Sequence, residues 1–550
     1  MFSLGKISSF SFALLSLAAA ALAFSWTYYF GHWGIYAFDQ SMIFDGGWRI
    51  LQGQVPYKDF LMAFTPVSFA IQAIFFKLCG VTWTATVISA ATLGAILTLS
   101  VIRTLVLLFG QERRMLALIS GALIGLSFQG IHGTLWIEQC AFFFCFLGIQ
   151  IICETLPGGS YRRRLCFMTA GALAVLAFLC KQNAGPMVFA LLLAMVILAS
   201  PMKLAAIVEG VTIFLVGAGI VATMFVLWLF AYSDPNLFFH HALQVPSAVG
   251  RERLLKLDLF SIPTLMSLVS RATTWCNVAA LEVWLFVMFE TCTHSDKKRL
   301  FISDARRRLM LLLVLIIPFM QAIFQSSTMN FPNNLLFLSA FTLSLAAGVS
   351  EIGFTSATFR PLLRVTAIFL GLMLGKEIVR SSINRDVMFS FPWYARLDKT
   401  LTVLPLNNVR WISPTLSNLS HFVPDQKVTV TAEDVERVYD YLTAQKQRFF
   451  VMGDSNFLYG ITGVNPPGPL LYFQEDHYYT MDDLPGLDAW TLANLKQDDI
   501  RLVVVENGML DYPKFPLEKT VNWVNENFTP GPVFGHFKIM LRPSNEKVSH

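Results

Sequence analysis

The segment from Phe38 to Phe60 holds the side chains best suited to chemistry. Asp39 directly follows the first long apolar run, and a helical register from Gln40 to Leu51 would end at Gly53, before a turn fixed by Pro56. A carboxylate at the mouth of a helix bundle can serve as a general base. The alternative from spacing alone is that Asp39 caps the following helix. Asp45, six residues on, faces another side of that helix and is the secondary candidate.

Lys181 lies between two apolar runs, in the sequence Cys180-Lys181-Gln182. An ammonium group there is costly unless it meets an anion or extends to the lipid headgroups. A lipid-linked phosphate would be such an anion, because a departing phosphate needs its developing charge stabilised. Four basic side chains in a later loop could reach the same phosphate, although paired histidines are more often interfacial: His240, His241, Arg251 and Arg253.

Composition indicates the kind of protein that must position these groups. The chain is 55% hydrophobic and 14% charged, with a mean hydropathy of +0.56, far from the balance of a soluble protein. The net charge of +5 comes from short basic clusters between apolar runs, which reports membrane topology and not nucleic-acid binding. No CxxC pair or Cys/His cluster occurs among the eight cysteines, so a zinc or redox site has no support in the sequence.

The sequence predicts a polytopic α-helical membrane domain over residues 1–380, with a first helix that is retained and not cleaved as a signal peptide. About eleven apolar runs have the length of a span: 10–30, 84–108, 115–131, 138–154, 165–181, 184–200, 204–232, 276–292, 309–325, 334–351 and 362–379.

Loop charges predict the orientation of these spans. With a cytoplasmic N-terminus, most Lys and Arg clusters fall in cytoplasmic loops, and an odd number of spans places the C-terminal segment on the outer side. Two outer loops, 31–83 and 233–275, are too long for simple connections, and long ordered loops are usually functional. The first ends in the short apolar stretch 66–76, which is typical of an interfacial helix.

From residue 381 to 550 the composition becomes that of a soluble protein. Residues 431–444 have helical apolar spacing after a Thr N-cap, and 448–453 and 500–506 have the composition of buried strands. The sequence therefore predicts a small soluble extracytoplasmic α/β domain. Its segment Gly453 to Tyr459 is either a ligand loop or an ordinary turn, and the turn is the simpler interpretation.

The loop after the first span resembles that of the GT-C glycosyltransferases, especially the branch of protein O-mannosyltransferases and the aminoarabinose transferase acting on lipid A. The residues that match in register are Asp39, Gly53, Pro56, Tyr57, Asp59, Phe60 and Pro66. Outside this loop the resemblance rests on layout alone. It implies inverting transfer of a sugar from a polyprenyl-phosphate carrier to a lipid, glycan or protein acceptor on the outer face, with Asp39 as base.

The resemblance also implies roles for other residues. Glu138, near the outer end of the fourth span, would bind the acceptor or a divalent cation, unless it is only a helix N-terminal acid. The same role extends to Asp45 and Asp59, and the identity of any metal is left open. The implied donor pocket is lined by Tyr57, Gln182, Asn330, Asn333 and Asn334.

Two departures from the family pattern leave other functions open. Gln40 replaces the second acid of an Asp-Glu pair, and Met62 replaces a later Asp, so the chain could be an inactive membrane scaffold. A polysaccharide polymerase or ligase would share the lipid-linked donor. A transporter would usually show internal repeats and midplane acids, and the sequence has no evident repeat.

Overall fold

The computed structural model describes most of the membrane part and the core of the tail. The described residues are 8–32, 37–129, 133–156, 160–248, 251, 272–293, 304–327, 335–351, 360–383, 421–422, 429–430, 432–471, 479–506, 515–535 and 537–543. The side chain of Asp39 lies outside this description, although its backbone belongs to a helix. Arg253, Asn330, Asn333 and Asn334 also lie outside it.

The first 383 residues of the chain contain helices at the places that the apolar runs predict. Their bounds are α1 Ser9–Gly31, α2 Ala37–Leu51, α3 Val67–Cys79, α4 Trp83–Phe109, α5 Arg114–Phe128, α6 Ile137–Cys153, α7 Ser160–Cys180, α8 Gly185–Ala199, α9 Leu204–Tyr232, α10 Pro235–Phe238, α11 Ala272–Thr293, α12 Ala305–Ser327, α13 Leu336–Glu351 and α14 Arg360–Ile383. Each of the eleven predicted spans coincides with one of these helices.

Within the described residues, four helices, α1, α4, α7 and α9, are long and apolar enough to cross a membrane. Shorter apolar helices cover Val67–Cys79, Ile137–Cys153, Gly185–Ala199, Thr273–Phe289 and Leu336–Val349. Most of the outward side chains of α9 are apolar, among them Met224, Leu227 and Phe230, which are 64–72% exposed. Such a surface is stable in lipid and not in water. The chain is therefore an integral membrane protein, and the count of eleven spans remains a prediction.

Small residues and Phe side chains decide how the helices pack. A Cβ at Gly217 of α9 would lie 1.9 Å from the Met168 carbonyl oxygen of α7, so these two backbones meet where no side chain fits. In the centre, Phe337 of α13 packs edge-on against Phe128 of α5 and Phe142 of α6. The abundant Phe residues thus fill the interior as well as the lipid-facing surface.

The first outer loop contains the two short helices α2 and α3. The predicted register from Gln40 to Leu51 is confirmed as helical, and Gly53 adopts φ +83° just after it. The stretch 66–76 is helical from Val67, as expected, while its position at the membrane surface remains a prediction.

The tail contains a two-stranded sheet, a four-stranded sheet and several helices within its described residues. Their bounds are β1 His421–Phe422, β2 Thr429–Val430, α15 Ala432–Gln445, β3 Phe449–Met452, α16 Phe457–Thr462, α17 Leu484–Gln497, β4 Leu502–Glu506, α18 Glu518–Asn527, β5 Thr529–Phe534 and β6 Phe537–Leu541. The four-stranded sheet has the order β3-β4-β6-β5, with β3 parallel to β4 and the other neighbours antiparallel. The helix and the two buried strands expected from sequence are confirmed. The domain boundary at residue 381 remains a prediction.

Candidate active site

The loop that follows α2 is held in one shape by its own hydrogen bonds. Tyr57 adopts φ +62°, which is uncommon for a residue with a side chain, and its N–H donates to the Phe60 carbonyl oxygen at 2.8 Å. The Tyr57 hydroxyl donates to the Phe64 carbonyl oxygen, and the side chain is fully buried. Burial raises the pKa of this phenol well above its usual value. Tyr57 thus fixes the turn that carries the family-like residues, and its role in a donor pocket remains a prediction.

Asp59 has a clear local role in the same loop. Its carboxylate accepts a hydrogen bond from the Val55 N–H at 2.7 Å, so it links the two ends of the turn. The side chain is otherwise exposed. The contact with Val55 explains the position of Asp59 without a ligand, and binding of an acceptor or metal by Asp59 remains a prediction.

Polar contacts fasten the loop to the end of α7. Gln182 donates through Nε2 to the Ala63 carbonyl oxygen at 2.8 Å, and Thr65 donates through Oγ1 to the Phe178 carbonyl oxygen at 2.8 Å. The Lys-Gln segment therefore lies directly against the loop that begins at α2. The predicted donor-pocket residue Gln182 and the loop residues are thus brought to one place.

Glu138 and Lys181 form a buried ion pair at this place. Glu138 stands in the first turn of α6 and Lys181 directly follows α7, and the Lys181 ammonium contacts Glu138 Oε1. The side chains are 7% and 10% exposed, and the Lys181 ammonium also lies 5.3 Å from the centroid of the Phe64 ring. Two groups that the sequence proposes separately are therefore one unit, because each charge is stable in this apolar setting only beside the other.

Two acceptor atoms of this unit remain available. Glu138 Oε2 and Gln182 Oε1 are buried and accept no hydrogen bond from the described part of the chain. Most buried acceptor atoms in proteins accept a hydrogen bond. Two acceptors without one therefore indicate a binding site for a ligand with N–H or O–H groups.

Arg49 joins α2 to the tail from a fully buried position. Its Nε donates to Asp45 Oδ2 at 2.9 Å, one helical turn away, and its Nη1 donates to the Gly468 carbonyl oxygen at 2.7 Å. Nη2 points to the Leu470 carbonyl oxygen at 3.4 Å. Burial raises the pKa of the Asp45 carboxyl to about 6, against the opposing effect of Arg49. Asp45 thus serves this junction, and its role as an acceptor or metal ligand remains a prediction.

Further contacts complete the junction between the first outer loop and the tail. The Phe457 N–H donates to Ser41 Oγ at 2.8 Å, the Trp48 indole N–H to the Val464 carbonyl oxygen at 3.0 Å, and the Leu61 N–H to the Pro469 carbonyl oxygen at 2.8 Å. The loop 31–83 and the tail therefore lie on the same side of the helix bundle.

The segment after β3 is a turn stabilised from within the tail. The Ser455 N–H donates to the buried carboxylate of Glu506 at 2.6 Å, and Asn456 donates through Nδ2 to the Leu471 carbonyl oxygen at 2.9 Å. Gly453 adopts φ +153° where a Cβ would meet Glu506 at 2.4 Å. The turn interpretation of this sequence motif thus has direct structural support.

The loop after α9 brings histidines to the tail. His240 and His241 lie in a π-helical turn, Phe239–Gln244, and His240 Nε2 lies 2.9 Å from Asp483 Oδ1. Burial alone would lower the pKa of His240, but its hydrogen bonds to Gln244 and Asp483 raise it overall. Burial would raise the pKa of Asp483, yet hydrogen bonds from Thr480 and His240 lower it. Phosphate binding by these histidines remains a prediction, as it does for the exposed Arg251.

Sequence reasoning missed two charged residues of this region. Arg49 stands four residues after Asp45, a spacing that places two side chains together on a helix, so the pair could have been found from α2 alone. Asp483 offers no such signal, because 243 residues separate it from His240.

No protein-family model matches the chain, and no curated protein matches it. Among solved structures, it is similar to an oligosaccharyltransferase from Archaeoglobus fulgidus in the apo form, at 12% identity and a TM-score of 0.43, over 98% of this chain and 75% of that one.

The chain is also similar to ArnT from Cupriavidus metallidurans. The form bound to undecaprenyl phosphate gives 11% identity and a TM-score of 0.45 over 98% of this chain and 99% of that one. The apo form gives 12% identity and a TM-score of 0.44 over 96% and 97%. Likenesses with TM-scores below 0.5 are too distant to transfer a site or an activity.

Replacing Arg49 by Met should lower stability sharply, because it leaves the Asp45 carboxylate buried without a partner. Losing one partner of a buried ion pair typically costs about 3–5 kcal/mol. The matched control is Arg501→Met, which breaks an exposed pair with Asp499 and should cost less than about 1 kcal/mol. Thermal unfolding of the detergent-solubilised protein measures both. Equal midpoints for the two variants would show that Arg49 does not hold the junction.

Proposed function

We propose that this protein transfers a sugar from a polyprenyl-phosphate carrier to an acceptor on the outer face of the membrane, with Asp39 as the general base. The observation that carries the proposal is the buried Lys181–Glu138 pair against the loop that follows the Asp39 helix. The family-like residues of that loop supply the reaction class. The cytoplasmic N-terminus and extracytoplasmic tail, predicted from loop charges, belong to the same proposal.

Lys181 suits the phosphate of the lipid carrier. An ammonium group has three N–H donors, and the bond to Glu138 Oε1 uses one of them, which leaves two for phosphate oxygens. Because the side chain is 10% exposed, its charge is weakly screened and acts strongly on a phosphate that enters the site. Glu138 holds the ammonium in place between turnovers.

In the proposed reaction, Asp39 takes the proton from an acceptor hydroxyl or amine as that group attacks the anomeric carbon. The bond from the acceptor to that carbon forms while the bond from carbon to the phosphate oxygen breaks. The electron pair leaves on polyprenyl phosphate, where Lys181 stabilises the added negative charge. Attack from the side opposite the leaving group inverts the anomeric centre.

Glu138 Oε2 and Gln182 Oε1 can accept hydrogen bonds from a substrate. Both are buried acceptors beside Lys181, so each suits a hydroxyl or amine of the sugar or of the acceptor. A ligand that displaces water from these two oxygens must supply hydrogen bonds of its own, so ligands with N–H or O–H groups would bind more tightly than ligands without them.

The two departures from the family pattern are compatible with a single base. Gln40 and Met62 are buried, at 3% and 0% exposure, and neither side chain carries a charge. Gln cannot accept a proton at neutral pH, and therefore the proposed chemistry depends on Asp39 alone.

The variant Asp39→Asn should lower turnover about 10²–10⁴-fold, the usual contribution of a general base. The assay reconstitutes the full chain in proteoliposomes with polyprenyl-phospho-sugars and a mixture of lipid, glycan and protein acceptors, and it measures released polyprenyl phosphate. The control Glu112→Gln changes an exposed acid in the turn Gln111–Arg113 and should keep the wild-type rate. Equal rates for Asp39→Asn and wild type would exclude Asp39 as the base. No release by wild type from any donor would favour a transporter or an inactive scaffold.

A double variant separates the structural from the functional role of the ion pair. Glu138→Gln with Lys181→Gln removes both buried charges together, so the protein should fold with a thermal midpoint near that of wild type. Turnover should still fall about 10²-fold or more, because the leaving phosphate loses its cation. Single Lys181→Gln should unfold at a lower temperature, since Glu138 is then buried alone. Wild-type turnover in the double variant would contradict a role for Lys181 in phosphate stabilisation.

A further inference from the structure

Three metal-binding side chains from distant parts of the chain meet above the helix bundle. His240 and His241 come from the turn after α10, and Asp483 from the short 3-10 helix Met481–Asp483 of the tail. One ligand atom from each lies within 4.8 Å of the other two. His241 is 3% exposed, and His240 and Asp483 are half-buried. This cluster shares no residue with the Lys181–Glu138 pair.

The outer contacts of His240 and Asp483 direct their ligand atoms at each other. His240 Nδ1 lies 3.0 Å from Gln244 Oε1, and His240 Nε2 lies 2.9 Å from Asp483 Oδ1. Asp483 Oδ2 accepts from the Thr480 N–H at 2.7 Å and from Thr480 Oγ1 at 2.8 Å, which leaves Oδ1 for His240. Metal-bound imidazoles and carboxylates usually have such outer hydrogen bonds.

The contact between His240 Nε2 and Asp483 Oδ1 brings two metal-ligating atoms to 2.9 Å of each other. A metal ion in place of the proton between them would also engage His241, whose ring centroid is 4.8 Å from that of His240.

The local backbone points the same way. A π-helical turn is rare and is frequently found at functional sites. Here the π-helix Phe239–Gln244 carries both adjacent histidines, and its last residue, Gln244, holds the ring of the first.

We propose that His240, His241 and Asp483 bind one Zn²⁺ ion that fastens the loop after α9 to the tail. Two imidazoles and a carboxylate suit Zn²⁺ better than Mg²⁺ or Ca²⁺, which prefer oxygen ligands alone. Three protein ligands leave a fourth tetrahedral position for water or a phosphate oxygen. The carboxylate of Asp483 repels a phosphate that approaches the histidines directly, whereas a bound Zn²⁺ would attract it.

Metal titration of the purified full-length protein tests this site. The protein carries no polyhistidine tag, is stripped with chelator, and is titrated with Co²⁺ as a spectroscopic substitute and then with Zn²⁺. We expect one tight site per chain, tetrahedral d–d bands without thiolate charge-transfer bands, and displacement of Co²⁺ by Zn²⁺. The thermal midpoint of wild type should rise with Zn²⁺, because a ligand that binds only the folded state stabilises it.

Two neighbouring variants provide the matched comparison. Asp483→Asn should weaken Zn²⁺ binding at least 100-fold and remove the thermal shift. Asp482→Asn changes the exposed acid next to it and should bind as wild type does. The proposal is overturned if wild type binds no Co²⁺ stoichiometrically, if thiolate bands place the metal on cysteine, or if both variants bind equally. Because the wild-type spectrum decides alone, a variant that fails to fold does not blur the result.

Discussion

A buried guanidinium connects the two parts of this protein. Arg49 pairs with Asp45 Oδ2 on its own helix and donates to carbonyl groups of the tail, so α2 cannot leave the tail without breaking hydrogen bonds of a buried charge. On either side of Arg49 in the sequence, Ser41 accepts a hydrogen bond from the Phe457 N–H, and the Leu61 N–H donates to the Pro469 carbonyl oxygen. The proposed base is on this same helix. Its position therefore depends on contacts made 400 residues later in the sequence.

The cost of burying an unpaired charge also explains the pair formed by Glu138 and Lys181. Glu138 and Lys181 are stable because they are buried together, and they draw the ends of α6 and α7 against the loop after α2. Buried pairs of this kind often contribute little net stability, and replacing both partners by neutral groups is frequently tolerated. The burial of this pair beside unpaired acceptor atoms is better explained by a ligand than by folding.

Local sequence patterns predicted the helices and strands, but they did not predict the contacts between charged residues that are distant in the sequence. Every apolar run long enough to span coincides with a helix, because backbone groups in lipid must bond within one segment. Gly53 ended α2, and the buried runs near 450 and 503 became neighbouring parallel strands. No local pattern reports that Lys181 would meet Glu138, or that Asp483 would meet His240. Such contacts arise from tertiary packing, and the roles of Asp39 and the Asn residues at 330–334 remain predictions.

Binding of the lipid carrier to wild-type protein tests the proposed site most directly, and native mass spectrometry of the detergent-solubilised chain can measure it. The comparison uses polyprenyl phosphate, the uncharged polyprenol of equal length, and an anionic phospholipid. One polyprenyl phosphate per chain should be retained, with both other lipids removed at the same collision energy, because binding needs the phosphate and the polyprenyl chain together. Equal retention of polyprenol or of the phospholipid would contradict a site built for a polyprenyl-phosphate carrier.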